Sequence, residues 1–382
     1  MHVLFKTLVL AMVLVTLPLQ AAEMHSTAVF YAADLPIDLL GKFQRVIVEA
    51  DNVKPTELQA LHQAGVKVLA YVSIGEVAPS RKWYAQVKPE WILGKNRVWD
   101  SEVMDIANPG WQQFVIEQLV APLAKQGYDG LFMDTLDSFQ LLAKTDEARQ
   151  QQANALADLL RNIRKEYPQI KLVANRGFDV MPQIAPLLDA VLAESLYASW
   201  DNAHQEFKPA TPSDTEWLLQ KLKGIQQEFG LEIIILDYLP PTQVVEARQL
   251  AKKIQEQGFV PWISTAALDG MGTGMVEVVP KTFLLLFDSA KDTATPLQSK
   301  YYQAVQQALE KRGYQLRLHD IQSGLPNAPL LGRYAGILSF LAFTDQPASY
   351  QIWLTQQQEK GVLIKSLRSE ADIPTADKAG VK

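Results

Sequence analysis

Eight short apolar runs between residues 27 and 263 constrain this chain more than any other feature. They are 27–31 (TAVFY), 45–50 (RVIVEA), 66–73 (VKVLAYVS), 129–134 (DGLFMD), 170–175 (IKLVAN), 189–195 (DAVLAES), 231–237 (LEIIILD) and 258–263 (GFVPWI). Their apolar residues are consecutive rather than alternating, as expected of parallel strands covered on both faces. Helical patterns lie between them at 56–64, 110–126, 147–166, 213–229 and 242–257. These stop at Gly65, Gly127, ahead of Pro168, at Gly230 and at Gly258, where a helix is expected to end. Eight strands in β–α alternation over about 250 residues predict a (β/α)₈ TIM barrel. An open doubly wound sheet is the alternative.

In either fold, sites are built at the C-terminal ends of the strands. The stretch 127–139 has the strongest such end: an apolar strand core at Leu131, Phe132 and Met133, then Asp134, with Asp137 three residues on. Burying an unpaired carboxylate for packing alone is costly, so Asp134 is either a helix cap or a chemical group. The other strand ends supply Glu49 and Asp51; Tyr71, Ser73 and Glu76; Asn175 and Arg176; Glu194 and Tyr197; Asp237 and Tyr238; and Trp262, Ser264 and Thr265. They read as the rim of one acidic mouth, or as caps and ion pairs with Arg81 and Arg176. Two carboxyl groups flanking a bond are what glycoside hydrolysis requires. Asp134 and Glu194 are the best pair, because both end strongly apolar strands. The apolar run before Glu194 is expected to raise its pKa, unless it pairs with Arg176. The loop from Gly75 to Trp111 holds Trp83, Trp91, Trp99 and Trp111. Trp111 suits a core position, while Trp83 and Trp99 suit exposure and stacking on sugar rings, or else all four close a small satellite core.

Composition excludes other chemistries. The formal net charge is −6, without the basic face that nucleic acid binding needs. Cysteine is absent, so there is neither a disulfide framework nor thiol chemistry. The five histidines are scattered, and no HExxH or GxxxxGK[ST] spacing occurs, so no metal or cofactor is expected. Residues 1–22 read as a signal peptide, with an apolar run from Leu8 to Leu19 and small residues at Ala21 and Ala22. The mature protein is therefore expected to be periplasmic or secreted, touching a membrane only through an uncleaved leader. The barrel is expected over 23–275, complete without later residues. A partial doubly wound (Rossmann- or flavodoxin-like) α/β domain is expected over 280–368, with strands at 282–287, 314–318, 336–341 and 361–365 and helices at 297–312 and 348–360. Its Asp288 and Asp320 read as caps or surface acids. Residues 369–382 form a polar tail.

Taken together, YVSIGE (71–76), VWDSEVMDIANPGW (98–111), GYDGLFMDTLDS (127–138), ANRG (174–177), LAESL (192–196) and ILDYL (235–239) resemble a known family. In order and spacing, over roughly residues 28–272, the chain is similar to the endo-α-1,4-polygalactosaminidases of glycoside hydrolase family 114. The resemblance implies a barrel with Asp134 and Glu194 as catalytic carboxyls. By analogy with α-galactosidase-type barrels, Asp134 would be the nucleophile and Glu194 the acid/base of a retaining mechanism. Glu76, Asp137, Tyr197, Asp237 and Tyr238 would bind sugar hydroxyls or amines, with Tyr71, Ser73, Trp99, Asn175, Arg176 and Trp262 completing the binding surface. The implied substrate is an α-1,4-linked galactosamine/N-acetylgalactosamine polymer, a Pel-type biofilm exopolysaccharide. Other polysaccharide export proteins would be the macromolecular partners. A non-catalytic carbohydrate-binding or scaffold protein is the alternative.

Overall fold

The computed structural model describes residues 23–290, 300–339 and 348–366; the expected leader and tail lie outside them. The eight expected strands all form: β1 (Thr27–Phe30), β2 (Arg45–Val48), β3 (Lys67–Ser73), β4 (Gly130–Asp134), β5 (Lys171–Asn175), β6 (Ala190–Glu194), β7 (Glu232–Tyr238) and β8 (Val260–Ser264). Each pairs in parallel with the next in chain order. The sheet curls until β8 lies beside β1. No ladder joins these two; the Trp262 indole N–H donates to the Val29 carbonyl oxygen at 3.1 Å, and Tyr31 N–H donates to Leu268 O at 2.7 Å. A short strand, Thr273–Gly274, runs antiparallel on the free edge of β8. The result is a nearly closed TIM barrel, whose inner and outer strand faces are both buried.

Helices Pro55–Gln63, Asp146–Glu166, Pro212–Phe229 and Val244–Glu256 cover the outside, within a residue or two of their expected spans. The helix expected at 110–126 is interrupted. Pro109–Phe114 and Ala121–Gln126 are α-helical, but Val115–Val120 between them is a π-turn. Pro122 explains it: without an N–H, and with a ring that crowds the preceding turn, it forces that turn to widen. Under the barrel, the first residues of β2 and β7 are tied by a buried ion pair. Arg45 Nη2 lies 2.8 Å from Glu232 Oε2, with Arg45 Nε also donating to Thr27 Oγ1.

The region expected as a long loop after β3 contains a three-stranded antiparallel sheet of Glu76–Val77, Ile92–Asn96 and Ser101–Met104. A small hairpin, Ala198–Asp201 with Glu206–Pro209, follows β6. Beyond the barrel, β9 (Thr282–Phe287), β10 (Gln315–Asp320), β11 (Gly336–Ser339) and β12 (Ile364–Ser366) form a parallel sheet in the order β10-β9-β11-β12. Alternate residues of β9 face opposite ways. Phe283 and Leu285 meet Tyr302, Val305 and Leu309 of helix Lys300–Glu310; Leu284 and Leu286 meet Tyr350 and Leu354 of helix Ala348–Glu359. This is a doubly wound arrangement with its own core. Among the described residues no helix is long and apolar enough to cross a membrane.

Candidate active site

Asp134, Asn175 and Glu194 are the last residues of β4, β5 and β6, three neighbouring strands. Their registers turn all three side chains to the inside of the barrel. There they meet. The Asn175 amide nitrogen donates one hydrogen to Asp134 Oδ1 at 2.8 Å and the other to Glu194 Oε1 at 3.0 Å. The outer oxygens are held by phenols: Tyr71 OH donates to Asp134 Oδ2 at 2.8 Å, and Tyr238 OH lies 2.5 Å from Glu194 Oε2. Asp134 Oδ1 also accepts from Thr135 N–H at 2.8 Å. Two carboxyl groups thus face each other across one amide, each braced by a tyrosine.

The two sit in different surroundings. Burial, and then the charge of Asp134, raise the Glu194 pKa; the hydrogen bonds from Tyr238 and Asn175 and the charge of Arg176 pull it back only in part. Burial and the neighbouring carboxylates also raise Tyr71 and Tyr238, so both phenols keep their protons as donors. The backbone leaving this site is strained. Thr135, Arg176 and Ser195, each directly after a strand-end residue, have φ of 62°, 52° and 66°. A left-handed β-branched residue such as Thr135 is unusual, and such strain clusters at functional sites. The Thr135 hydroxyl repairs part of the cost: it donates to Asp134 O at 2.7 Å and accepts from Gly75 N–H and Glu76 N–H at 3.0 and 3.1 Å. Gly75 is required here, since a Cβ on it would fall 2.0 Å from Thr135 O.

Other candidates are placed differently from expectation. Arg176 donates to the Glu194 carbonyl at 2.7 Å, not to its carboxylate. Asp137 is partly buried, and burial raises its pKa; it precedes the short turn Ser138–Leu141 without capping it. The Tyr197 ring lies under the Lys253 ammonium at 3.6 Å, beside the hairpin that follows β6. The Ser73 hydroxyl bonds Glu76 O and Thr135 Oγ1. Three residues are corrected from sugar binding to structure. Glu76 is buried, and its carboxylate is taken by Asn96 and Ser101 of the antiparallel sheet. Asp237 is fully buried and accepts the backbone N–H groups of Leu196, Tyr197 and Ala198; burial pushes its pKa up to about 7 against those bonds. Trp262 is fully buried at the junction of β1 and β8. Of the four loop tryptophans, Trp83, Trp91 and Trp111 pack with Phe114 in an aromatic group continuous with the barrel core rather than a separate satellite core, while Trp99 is 63% exposed at the tip of the hairpin 92–104.

A pocket of about 190 Å³ flanks Tyr71 and is lined by Glu49, Asp51, Arg81 and Trp83, with Arg81 bonded to Glu49 at 2.8 Å. A larger cavity of about 460 Å³ contains neither catalytic candidate; it lies between the loops after β7 and β8 and residues 329–332 of the C-terminal unit. Asp201, His204 and Glu206 converge as metal ligands would, but the Lys208 ammonium already sits 2.6 Å from Asp201 Oδ2.

The family model for glycoside-hydrolase family GH114 matches residues 27–279, the whole barrel. The chain belongs to this family. It is a glycoside hydrolase, and the barrel is its GH114 module. The glycoside hydrolase domain of PelA from Pseudomonas aeruginosa is 38% identical, with a TM-score of 0.61 over 66% of this chain and 99% of that one. An uncharacterized protein of Deinococcus radiodurans is 24% identical over 240 residues, 59% of this chain and 74% of its own length. Ega3 of Aspergillus fumigatus, solved with galactosamine, is 14% identical with a TM-score of 0.48 over 67% of this chain and 96% of that chain. Tyr31 is absent from the sequence-based candidates of this GH114 barrel, although the run TAVFY carries it at the end of the first strand.

Proposed function

We propose that this glycoside hydrolase is exported and cuts, from within, a polymer of α-1,4-linked galactosamine and N-acetylgalactosamine of the Pel exopolysaccharide type, with retention of configuration. One observation carries the mechanism: the single Asn175 amide that bridges Asp134 and Glu194. Oxygens sharing one amide nitrogen lie at most about 6 Å apart, which supports the roughly 5–5.5 Å carboxyl spacing of retaining enzymes over the roughly 6.5–9.5 Å of inverting ones.

In this reading Asp134 attacks the anomeric carbon. Tyr71, Asn175 and Thr135 N–H aim its oxygens. The C–O bond to the leaving sugar breaks as Glu194 passes its proton to the departing oxygen. Burial raises the Glu194 pKa, the direction that suits a group that must give a proton. The ionised Glu194 then takes a proton from water, which attacks the glycosyl–Asp134 ester and frees the sugar with its original anomeric sense. The negative net charge, with Glu49, Asp51 and Asp137 around the mouth, supports a polymer bearing ammonium groups.

The test uses a partly de-N-acetylated α-1,4-galactosamine polymer. Reducing ends should rise while chain length falls early, as internal cuts require, and proton NMR should detect the α-anomer first. A β-anomer appearing first would exclude retention; no new reducing ends would exclude this polymer. Intact mass of the exported protein should match a start at Ala22 or Glu23, and a membrane-bound product retaining Met1 would refute leader removal.

A further inference from the structure

Three phenols stand near the catalytic pair, and two are committed: Tyr71 to Asp134 and Tyr238 to Glu194. The third, Tyr31, directly follows β1. Side chains alternate along a strand. Phe30 points outward, under the Arg333 guanidinium of the C-terminal unit, 5.5 Å from the ring centroid. Tyr31 therefore turns inward, where its ring meets the Tyr71 ring edge-on at 5.5 Å. Its backbone is fixed on both sides: the N–H donates to Leu268 O at 2.7 Å, and the carbonyl accepts from Asn52 Nδ2 at 2.6 Å. Its hydroxyl has no hydrogen-bond partner among the described residues and is not one of the buried orphan atoms, so solvent still reaches it on the inner side of the half-buried ring.

We infer that the Tyr31 hydroxyl is a substrate-contacting group of this glycosidase, donating a hydrogen bond to an oxygen of the sugar unit attacked by Asp134. The acceptor is a hydroxyl or an acetamido carbonyl, since an ammonium has no lone pair to offer. Burial and the fields of Tyr71, Asp134 and Glu194 keep the phenol protonated, as a donor must be. The inference rests on the hydrolase reading but not on the identity of the polymer.

Tyr31→Phe in the full chain removes the hydroxyl and keeps the ring against Tyr71, so a packing role would not respond to it. On the partly de-N-acetylated polymer, kcat/KM should fall roughly 3–10-fold, with melting temperature and the shape of the pH profile unchanged; that is the loss expected for a hydrogen bond between neutral groups. A second measurement needs no turnover. In the Glu194→Gln background, the Kd for N-acetylgalactosamine, followed by NMR, should rise about 3–10-fold on adding Tyr31→Phe. A wild type inert on the polymer, together with weakened sugar binding by the double variant, would remove the polymer assignment and uphold the Tyr31 contact. Unchanged kcat/KM with unchanged Kd, or no sugar binding in either background, overturns it.

Discussion

The barrel and the C-terminal sheet are both parallel, and both place aspartates at strand ends, yet only one makes a site. At the end of β9, Asp288 accepts from Ala290 N–H and from the Gln322 side chain. At the end of β10, Asp320 accepts from Gln322 N–H and Ser289 N–H. These carboxylates close turns and tie together the ends of two adjacent strands. In the barrel, curvature carries Asp134 and Glu194 toward each other, and the hydrogen bonds that satisfy them come from three other strands. Among the described residues, only in the barrel does the sheet bend one strand-end acid to face another.

That contrast can be broken most directly at the pair itself. Asp134→Asn and Glu194→Gln should each lower kcat about 10²–10⁴-fold or more while the fold melts normally. Near-wild-type turnover by either variant removes that residue from the mechanism. The loss should also differ in kind: azide should partly rescue Glu194→Gln on a substrate with a good leaving group, and Asp134→Asn should trap no glycosyl-enzyme.

The bridge comes next. Asn175→Ala should cost roughly 10–100-fold in kcat, because the two carboxyl groups lose their common orientation. An unchanged kcat would mean that the barrel alone sets the geometry.

A pH profile sharpens the comparison further. The activity carried by protonated Glu194 should extend above the ordinary carboxylate range and be lost as pH rises through its raised pKa; Glu194→Gln should abolish that limb. The stability contribution has the same sign: a carboxyl whose folded pKa is raised favours the fold while protonated and loses that contribution as pH rises through the folded value. A limb at the position of an unperturbed glutamate would contradict the assignment.

Asp237 tests structure against chemistry inside the barrel. Asp237→Asn can accept only part of what three backbone N–H groups donate, so it should destabilise the fold by about 1–3 kcal/mol in denaturant titration. Turnover per folded molecule should remain within a few-fold. A large kcat loss without destabilisation would return Asp237 to the binding surface. The smallest effects on turnover belong to the C-terminal sheet: Asp288→Asn and Asp320→Asn should leave kcat unchanged, and Asp320→Asn, at a position that is not buried, should alter stability by less than about 1 kcal/mol. A lost kcat in either would show that this unit shares in the reaction.

Much of the barrel was legible because parallel strands buried on both faces must be written as consecutive apolar residues, and a following Asp or Glu breaks that run visibly. Asp134 and Glu194 stand out for this reason. Glu76 misled because the antiparallel sheet at 76–104 is built of short, mixed strands whose burial pattern in Ile92–Asn96 is only partial. Its carboxylate turned into that sheet rather than toward the mouth. Trp262 misled because a strand end does not reveal whether a side chain passes upward to the rim or sideways into a junction. The left-handed backbone at Thr135, Arg176 and Ser195 was hidden, since no glycine marks it. Trp99 and the leader were read from local composition, which gives neither a distance to the carboxyl pair nor a processed mass.

The junction of β1 and β8 has a consequence for how the molecule fluctuates. Seven of the eight neighbouring strand pairs in the ring are laced by parallel ladders, while the eighth relies on an indole N–H and one loop hydrogen bond. A cooperative structure opens first where it is least laced. In native-state deuterium exchange, the amides of β1 should therefore lose protection ahead of those of β4 and β6. Opening there would displace Tyr31 while the amide-bridged carboxyls on the interior strands stay closed, so the wall of the groove and the carboxyl pair would move on separate clocks.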